Sequence, residues 1–262
     1  MTWRWAATAA GLLAAAACGG STPRAEPELL PDLDQVAPHA VSVERRDGRD
    51  LLVFLSTVEN FGRGPLLVAG TRASTAEDDM RARQLIRRAD GTTAVHPLHA
   101  GLRFVVAETH RHWHFLGFES YELRAPKGRT IARDHKTGFC LGDRYDAHAG
   151  VRLPGEPRDP VWTQECGRGQ PDRLRIREGL SPGFGDDYVP RLEGQYIDVT
   201  GLPAGRYLLV HRANPDRDLL ESRYSNNAAS ALIALRRRAN GRLGVSVLAT
   251  CDDRPVCDFG NP

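Results

Sequence analysis

The sequence predicts a mostly β protein: an antiparallel β-sandwich-like single domain with long loops and few short helices. Short apolar runs rich in β-branched residues recur at close spacing without alternating helical segments, a pattern typical of antiparallel sheets. Glycine and proline, at 26 and 17 of 262 residues, interrupt long helices. A hydrophobic content of 41% excludes global disorder, and the chain is long enough to bury a sizeable core.

The predicted strands are spread along the whole chain. Residues 51–58, LLVFLSTV, are the strongest candidate, and a hairpin around Asn240-Gly241 is predicted to join strands at 230–236 and 243–249. Further strands are expected at 65–68, 102–107, 112–123, 195–199 and 206–212. The charged stretch 75–89 is the candidate for a helix, and 140–190, rich in Gly, Pro and Asp, is predicted to be loop.

The charge balance excludes some classes of partner. Lys and Arg number 35 against 33 Asp and Glu, a formal net charge of +2. Such a chain makes no strong electrostatic contact with nucleic acid or with an anionic membrane. We therefore expect no nucleic-acid partner, and membrane attachment only through a lipid.

The N-terminal segment is predicted to direct export. Arg4 precedes a run of small and apolar residues that is shorter than the ~20 residues of a membrane span. Cys18 follows that run and resembles the lipidated cysteine of a bacterial lipobox. We expect the protein to be anchored by lipid to the outer face of the cell membrane, or to be secreted if the signal is cut elsewhere. The predicted organisation is a signal over 1–18, a polar tether over 19–29 and the domain over 30–262.

Four cysteines remain once Cys18 is set aside. In an exported domain they are most simply two disulfides. Sequence order favours Cys140–Cys166 and Cys251–Cys257, and two other pairings remain open.

A row of three histidines is the sharpest local signal: His110, His112 and His114. On a strand, residues i, i+2 and i+4 share one face, which turns Trp113 toward the opposite face and the core. The outer Cβ atoms of an ideal strand would be ~13 Å apart, so the three rings can share one ion only if the strand twists or bends. Three imidazoles suit copper, zinc, iron or nickel, and the row alone does not name the metal.

Six later motifs extend this signal. They are FESYEL at 118–123, HKTGFCL at 135–141, GLSPG at 179–183, DDY at 186–188, QYIDVT at 195–200 and ESRYSNN at 221–227. Together with the histidine row, their order and spacing resemble the catalytic domain of the lysyl oxidase family, the copper-dependent quinone amine oxidases. The resemblance covers roughly residues 30 to 235.

The resemblance implies roles for particular residues. The three histidines correspond to the copper ligands, and Lys136 and Tyr188 to the pair that cross-links into lysine tyrosylquinone. Asp186 is the candidate general base. The implied reaction oxidises a primary amine, either a protein lysine or a small amine, with O₂ to an aldehyde, releasing ammonia and hydrogen peroxide.

The resemblance also implies a second, structural metal. Carboxylate, amide and backbone oxygens are the ligands that Ca²⁺ takes. One position departs from the family pattern, because Arg223 stands where an acid is common. The possible calcium contacts are Asp32, Leu33, Glu221, Asn226 and Asn227.

Two other functions remain open. The first is a non-catalytic copper- or calcium-binding module of the same fold, favoured by Arg223 and by the 52 positions that separate Lys136 from Tyr188. The second is a histidine-ligated iron or zinc enzyme, which would need a carboxylate from Glu108 or Glu119.

Overall fold

The computed structural model describes Met1 and residues 26–107, 110–126, 128–134, 138–147, 151–190, 192 and 194–257. Within these ranges the chain forms fifteen strands and no helix. Consequently, no helix there is long and apolar enough to cross a membrane. The strands are β1 Leu33–Arg46, β2 Arg49–Asn60, β3 Leu66–Thr71, β4 Asp79–Arg87, β5 Thr93–Val106, β6 Arg111–Phe115, β7 Glu119–Arg124, β8 Thr130–Arg133, β9 Tyr145–Asp146, β10 Arg175–Leu180, β11 Phe184–Tyr188, β12 Tyr196–Asp198, β13 Gly205–Ala213, β14 Ala228–Arg237 and β15 Leu243–Cys251.

The strands form three five-stranded sheets. The first has the order β1-β2-β11-β9, with β12 also paired to β2; the second is β10-β3-β4-β5-β6, and the third β15-β14-β13-β7-β8. Every strand pairing in them is antiparallel. The predicted mostly β, antiparallel fold class is therefore confirmed.

The predicted helix at 75–89 is wrong, because this segment contains β4. Met80, Ala82 and Ile86 are buried and alternate with outward-facing arginines, which is the period of a half-buried strand. The many charged residues of the segment conceal this alternation in the sequence.

The single strand expected at 112–123 is two strands. A turn at 116–118 separates β6 from β7, and Gly117 adopts a φ of 72°, a conformation that favours glycine. The chain passes here from the second sheet to the third.

The segment 140–190 is only partly loop, since it contains β9, β10 and β11. The sequence of β11, FGDDY, has weak intrinsic strand preference, and its pairing with β2 determines its conformation. Sequence reasoning missed this strand for that reason, and it is the strand that carries Asp186 and Tyr188.

One cluster of buried side chains draws on all three sheets. The ring of Phe54 packs edge-on against Tyr121 with centroids 5.0 Å apart, and both residues are fully buried. Phe139 packs edge-on against Tyr188, with centroids 4.8 Å apart. These aromatic contacts join the elements that surround the candidate site.

Both favoured disulfides are present. Cys140–Cys166 joins the segment after β8 to the loop before β10, and Cys251–Cys257 closes the end of β15. The predicted lipidation residue Cys18 lies outside the described residues, as do all of the predicted signal except Met1 and most of the tether.

Candidate metal centre and active site

The histidine row gathers at the end of the β5–β6 hairpin. His110 precedes β6, where its carbonyl accepts a hydrogen bond of 2.9 Å from the amide of Ala107. The ring centroids of His110, His112 and His114 are 4.6 to 5.1 Å apart, and one ring nitrogen from each lies within 4.8 Å of the others. His110 lies outside the strand, so the three histidines are not held at the wide spacing of an ideal strand.

Trp113 faces away from the histidines and anchors β6 in the core. It is fully buried, and its indole Nε1 donates a hydrogen bond of 3.1 Å to the carbonyl of Gln170. Its backbone amide donates to the carbonyl of Cys166 at 2.9 Å. The loop attached through Cys166 therefore supports the strand that carries the histidines.

Tyr188 and Asp186 form a buried pair on β11. They are two residues apart on one strand and so share a face. The Tyr188 hydroxyl donates a hydrogen bond of 2.6 Å to Asp186 Oδ2, which also accepts one of 3.0 Å from the amide of Gly142. The Nε atom of Arg144 lies 3.4 Å from the other carboxylate oxygen, Oδ1.

Burial raises the pKa of both members of this pair. The Asp186 pKa rises from 3.8 to about 7, since desolvation outweighs the lowering effects of the Arg144 charge and of hydrogen bonds from Tyr188 and Gly142. The pKa of Tyr188 lies well above its ordinary value because of burial and the adjacent Asp186 carboxylate. A carboxyl group that titrates near neutral pH can both accept and return a proton.

The histidine row and the Tyr188–Asp186 pair face one cavity of about 220 Å³. Phe139 joins its two sides, because it forms a β-bridge with Phe115 on the histidine strand and packs edge-on against Tyr188. Gly138 also lines the cavity; a Cβ there would lie 2.7 Å from the Phe115 carbonyl oxygen. Lys136, two positions before it in the chain, lies outside the described residues.

The cavity has charged lining residues that sequence reasoning missed. Glu165 and Arg168 form an ion pair of 2.6 Å with half-exposed side chains, and Arg144 lies deeper, beside Asp186. A pairing of Cys140 with Cys166 brings residues 165–168 close to 140, so the favoured disulfide was the available signal for Glu165 and Arg168.

Of the two carboxylates considered for an iron or zinc site, the one that the structure describes, Glu119, does not join the histidine group. Glu119 is buried and is directed into another cluster, where it accepts hydrogen bonds of 2.5 Å from Tyr121 and 3.0 Å from Ser56. Glu108 lies outside the described residues. Among the residues that the structure does describe, the potential metal group at the row consists of the three histidines alone.

The possible calcium contacts lie together where the first strand begins. The amide of Leu33 donates to Glu221 Oε2 at 3.0 Å, and Asn226 Nδ2 donates to Asp32 Oδ1 at 3.0 Å. Asn227 Nδ2 donates to the other oxygen of Glu221 at 2.7 Å. The structure thus brings these five residues together, and these three hydrogen bonds join them to one another.

Fold and site together define an antiparallel β protein whose cavity presents three imidazoles beside a buried tyrosine–carboxyl pair. The lysyl oxidase family model matches residues 67–152 and 160–241, more than half of the chain, and the chain belongs to the lysyl oxidase family. The matched ranges include the histidine row, Lys136, Asp186 and Tyr188. Residues 153–159 are unmatched.

Several curated relatives match part of this chain. Lysyl oxidase homolog 3A of Danio rerio is 32% identical over 123 residues, which is 46% of this chain and 14% of that protein. Lysyl oxidase homolog 2 of Gallus gallus is 31% identical over 140 residues, 53% of this chain and 16% of that protein. Lysyl oxidase homolog 1 of Homo sapiens is 32% identical over 123 residues, 45% and 18% of the two chains. The similarity therefore spans less than a fifth of each relative.

Proposed function

We propose that this protein is a copper-dependent oxidase of primary amines. It consumes an amine, O₂ and water, and yields an aldehyde, ammonia and hydrogen peroxide. The observation that carries the proposal is the shared cavity, which three imidazoles, Tyr188 and Asp186 face together. Membership of the lysyl oxidase family supports the same reaction.

The donor set fits copper. One ring nitrogen from each of His110, His112 and His114 lies within 4.8 Å of the others, and imidazole is a ligand that suits copper. Tyr188 and Lys136 are the proposed source of the lysine tyrosylquinone. When bound, copper supplies oxygen activation, and the quinone supplies a carbonyl that can take two electrons from an amine.

Asp186 is the proposed proton acceptor. Its Oδ2 atom lies 2.6 Å from the Tyr188 hydroxyl, close enough to take a proton from that oxygen or from a substrate carbon held beside it. The backbone amide of Gly142 holds the same oxygen in place at 3.0 Å. Asp186 therefore meets the geometric requirement of a general base.

Arg144 is the proposed counter-charge for that base. The Nε atom of its guanidinium lies 3.4 Å from Oδ1, whereas Tyr188 donates to the other carboxylate oxygen, Oδ2. In a buried site an opposite charge favours the ionised carboxylate. Arg144 thus keeps Asp186 able to accept a proton near neutral pH, against the effect of burial.

The surroundings of Tyr188 restrict its movement. The ring is buried against Phe139, and the hydroxyl lies 3.3 Å from the carbonyl oxygen of Cys140. Cys140 is in turn held by its disulfide to Cys166. The residues around the phenol are therefore held in place before a substrate enters.

The proposed substrate is a primary amine, either a protein lysine or a small amine, and O₂ is the proposed acceptor. Export and lipid attachment through Cys18 are part of the proposal and are supported by the sequence of residues 1–18. The stretch 153–159, which the family model leaves unmatched, lies between Lys136 and Tyr188 and adds to their separation along the chain.

Peptide mass spectrometry tests the proposal. The exported protein is loaded with copper in air and digested, and a covalent peptide pair containing Lys136 and Tyr188 is sought. We expect the pair in the wild type, and not in Tyr188→Phe or in copper-free protein, with peroxide release on addition of amines. Copper binding without the peptide pair and without peroxide would instead favour the non-catalytic metal-binding module.

A further inference from the structure

The start of β1 is tied to the segment 221–227 by backbone hydrogen bonds. The amide of Ser222 donates to the carbonyl of Pro31 at 2.8 Å, and the amide of Gln35 donates to the carbonyl of Asn226 at 3.1 Å. The side chain of Glu221 adds the contact to the amide of Leu33. We call this set of contacts, with the side chains of residues 32–35 and 221–227, the β1 junction.

Negative charge collects at the β1 junction. The carboxylates of Asp32 and Asp34 lie there. The carboxylate of Asp253, in the chain that follows β15, repels that of Asp34. The pKa of Asp34 is raised to about 6, mainly by burial and also by Asp253, against the lowering effects of Asn226 and Arg223. Such a cluster requires a cation or a network of donors to keep two chain segments together.

Arg223 supplies positive charge to this cluster. Its Nη2 atom lies 3.6 Å from Asp32 Oδ2 and 3.8 Å from Asp34 Oδ2. The side-chain amide of Asn226 donates to the carboxylates of the same two residues, at 3.0 and 3.3 Å. The Arg223 guanidinium and the Asn226 side-chain amide therefore connect both aspartates to the segment 221–227.

The donor set, as arranged, does not fit calcium. Both oxygens of Glu221 already accept hydrogen bonds: Oε1 accepts from Asn214 at 2.5 Å and from Asn227 at 2.7 Å, and Oε2 accepts from Leu33 at 3.0 Å. Asn226 and Asn227 turn their amide nitrogens toward the carboxylates.

With the Asp32 and Asp34 carboxylates facing the Arg223 guanidinium and the Asn226 side-chain amide, the side-chain oxygens left over are too few for that ion. The buried oxygens Asn226 Oδ1 and Asn227 Oδ1 have no hydrogen-bond donor. These two neutral atoms fall short of the six to eight oxygen ligands, carboxylates among them, that Ca²⁺ takes.

We propose that Arg223 is the resident cation of the β1 junction, and that this chain closes the junction without calcium. Arg223 carries a permanent positive charge beside the carboxylates of Asp32 and Asp34. It would repel a divalent cation placed there. The function of the side chain is structural: it keeps the start of β1 on the segment 221–227. This inference does not depend on the oxidase activity.

Thermal unfolding of copper-free full-length protein tests the proposal. We expect the same Tm in millimolar CaCl₂ and in EGTA for the wild type. Arg223→Gln should lower Tm by about 2–4 °C, the shift that corresponds to the loss of an interaction of moderate strength in a chain of this size. Arg223→Glu should lower Tm further in EGTA and recover several degrees in calcium, because it supplies a carboxylate and removes the repulsion.

Arg103→Glu is the matched control. Arg103 is exposed to a similar extent and pairs with Asp79, outside the β1 junction. Its replacement should leave Tm insensitive to calcium. A wild-type Tm that rises by several degrees in calcium, or an Arg223→Glu protein that gains no calcium response beyond that of Arg103→Glu, would overturn the proposal.

Discussion

The hydroxyl of Tyr188 donates a hydrogen bond of 2.6 Å to Asp186 Oδ2, inside a cavity that three histidines also face. Both residues are buried, so their proton is exchanged with protein groups or with a bound ligand more readily than with bulk water. This contact places a proton acceptor at the residue proposed to become the cofactor.

Removal of the base should abolish most of the activity without removing the metal. Asp186→Asn keeps the shape of the side chain but accepts a proton poorly, and we expect kcat to fall by about 10²- to 10⁴-fold. Steady-state peroxide release measures kcat, and metal analysis of the dialysed protein measures bound copper. Activity within a few-fold of the wild type at full copper occupancy would remove Asp186 from its proposed role.

The pKa of Asp186 makes activity and stability depend on pH in opposite directions. Its folded-state pKa of about 7 lies above the ordinary value of 3.8. This group therefore stabilises the fold fully below about pH 4 and loses that contribution as pH rises through about 7. Activity should rise over the same range, since the ionised carboxylate is the base.

Denaturant unfolding at pH 5 and pH 8 measures the stability side of this prediction. As pH rises, the wild type should lose stability relative to Asp186→Asn, because the amide of the variant does not ionise. The free energy of unfolding of the variant minus that of the wild type should therefore increase from pH 5 to pH 8. A difference that stays constant between the two pH values would contradict the assigned pKa shift.

Replacement of Arg144 should shift the pH profile of activity upward. Arg144→Met removes the positive charge beside Asp186 Oδ1, and loss of a nearby opposite charge raises a carboxyl pKa by about 1 unit or more. The ascending limb of kcat/KM against pH should therefore move to higher pH, while Arg144→Lys should move it less. An unchanged profile in Arg144→Met would show that the guanidinium does not act on the base.

Each histidine of the row should be required for copper binding. His112→Ala removes one of three ring nitrogens, and we expect the copper affinity to fall by more than the ~10- to 100-fold typical of residues that only support a ligand. Competition with a coloured copper chelator measures the affinity. The control is His99→Ala, because the side chain of His99 is fully exposed and lies outside the cavity. Equal losses in both variants would argue against a site at the row.

The two disulfides should contribute unequally to stability. Cys140–Cys166 closes a loop with a sequence separation of 26 and Cys251–Cys257 one of 6, and the longer loop restricts the unfolded chain more. In the chain-entropy model, replacing the first pair by alanines should cost about 3–4 kcal/mol and the second about 2 kcal/mol. Denaturant unfolding of the two double variants measures the difference. A larger loss from the second pair would show that loop length is not the controlling factor.

Local patterns predicted much of the fold. The hairpin of β14 and β15, the burial of Trp113 and the pairing of the cysteines all follow from periodicity, turn residues and order along the chain. The local pattern gave a wrong prediction at 75–89, where many charged residues lie on a strand. It also gave a wrong prediction at β11, where strand pairing overrides weak local preference. The positions of Cys18, Glu108 and Lys136 lie outside the residues that the structure describes, so the expectations on them remain predictions.

The sequence by itself determined which side chains share a face. His112 and His114 on β6, and Asp186 and Tyr188 on β11, project together because the side chains of a strand repeat every two residues. His110 lies just before β6. Only the tertiary structure decided that β6 and β11, which belong to different sheets, face one cavity, and that Arg144 meets Asp186 while Arg223 meets Asp32 and Asp34. The physical reason is that a periodic pattern follows from local backbone geometry, whereas the approach of two sheets depends on how the buried surfaces of the entire chain pack together.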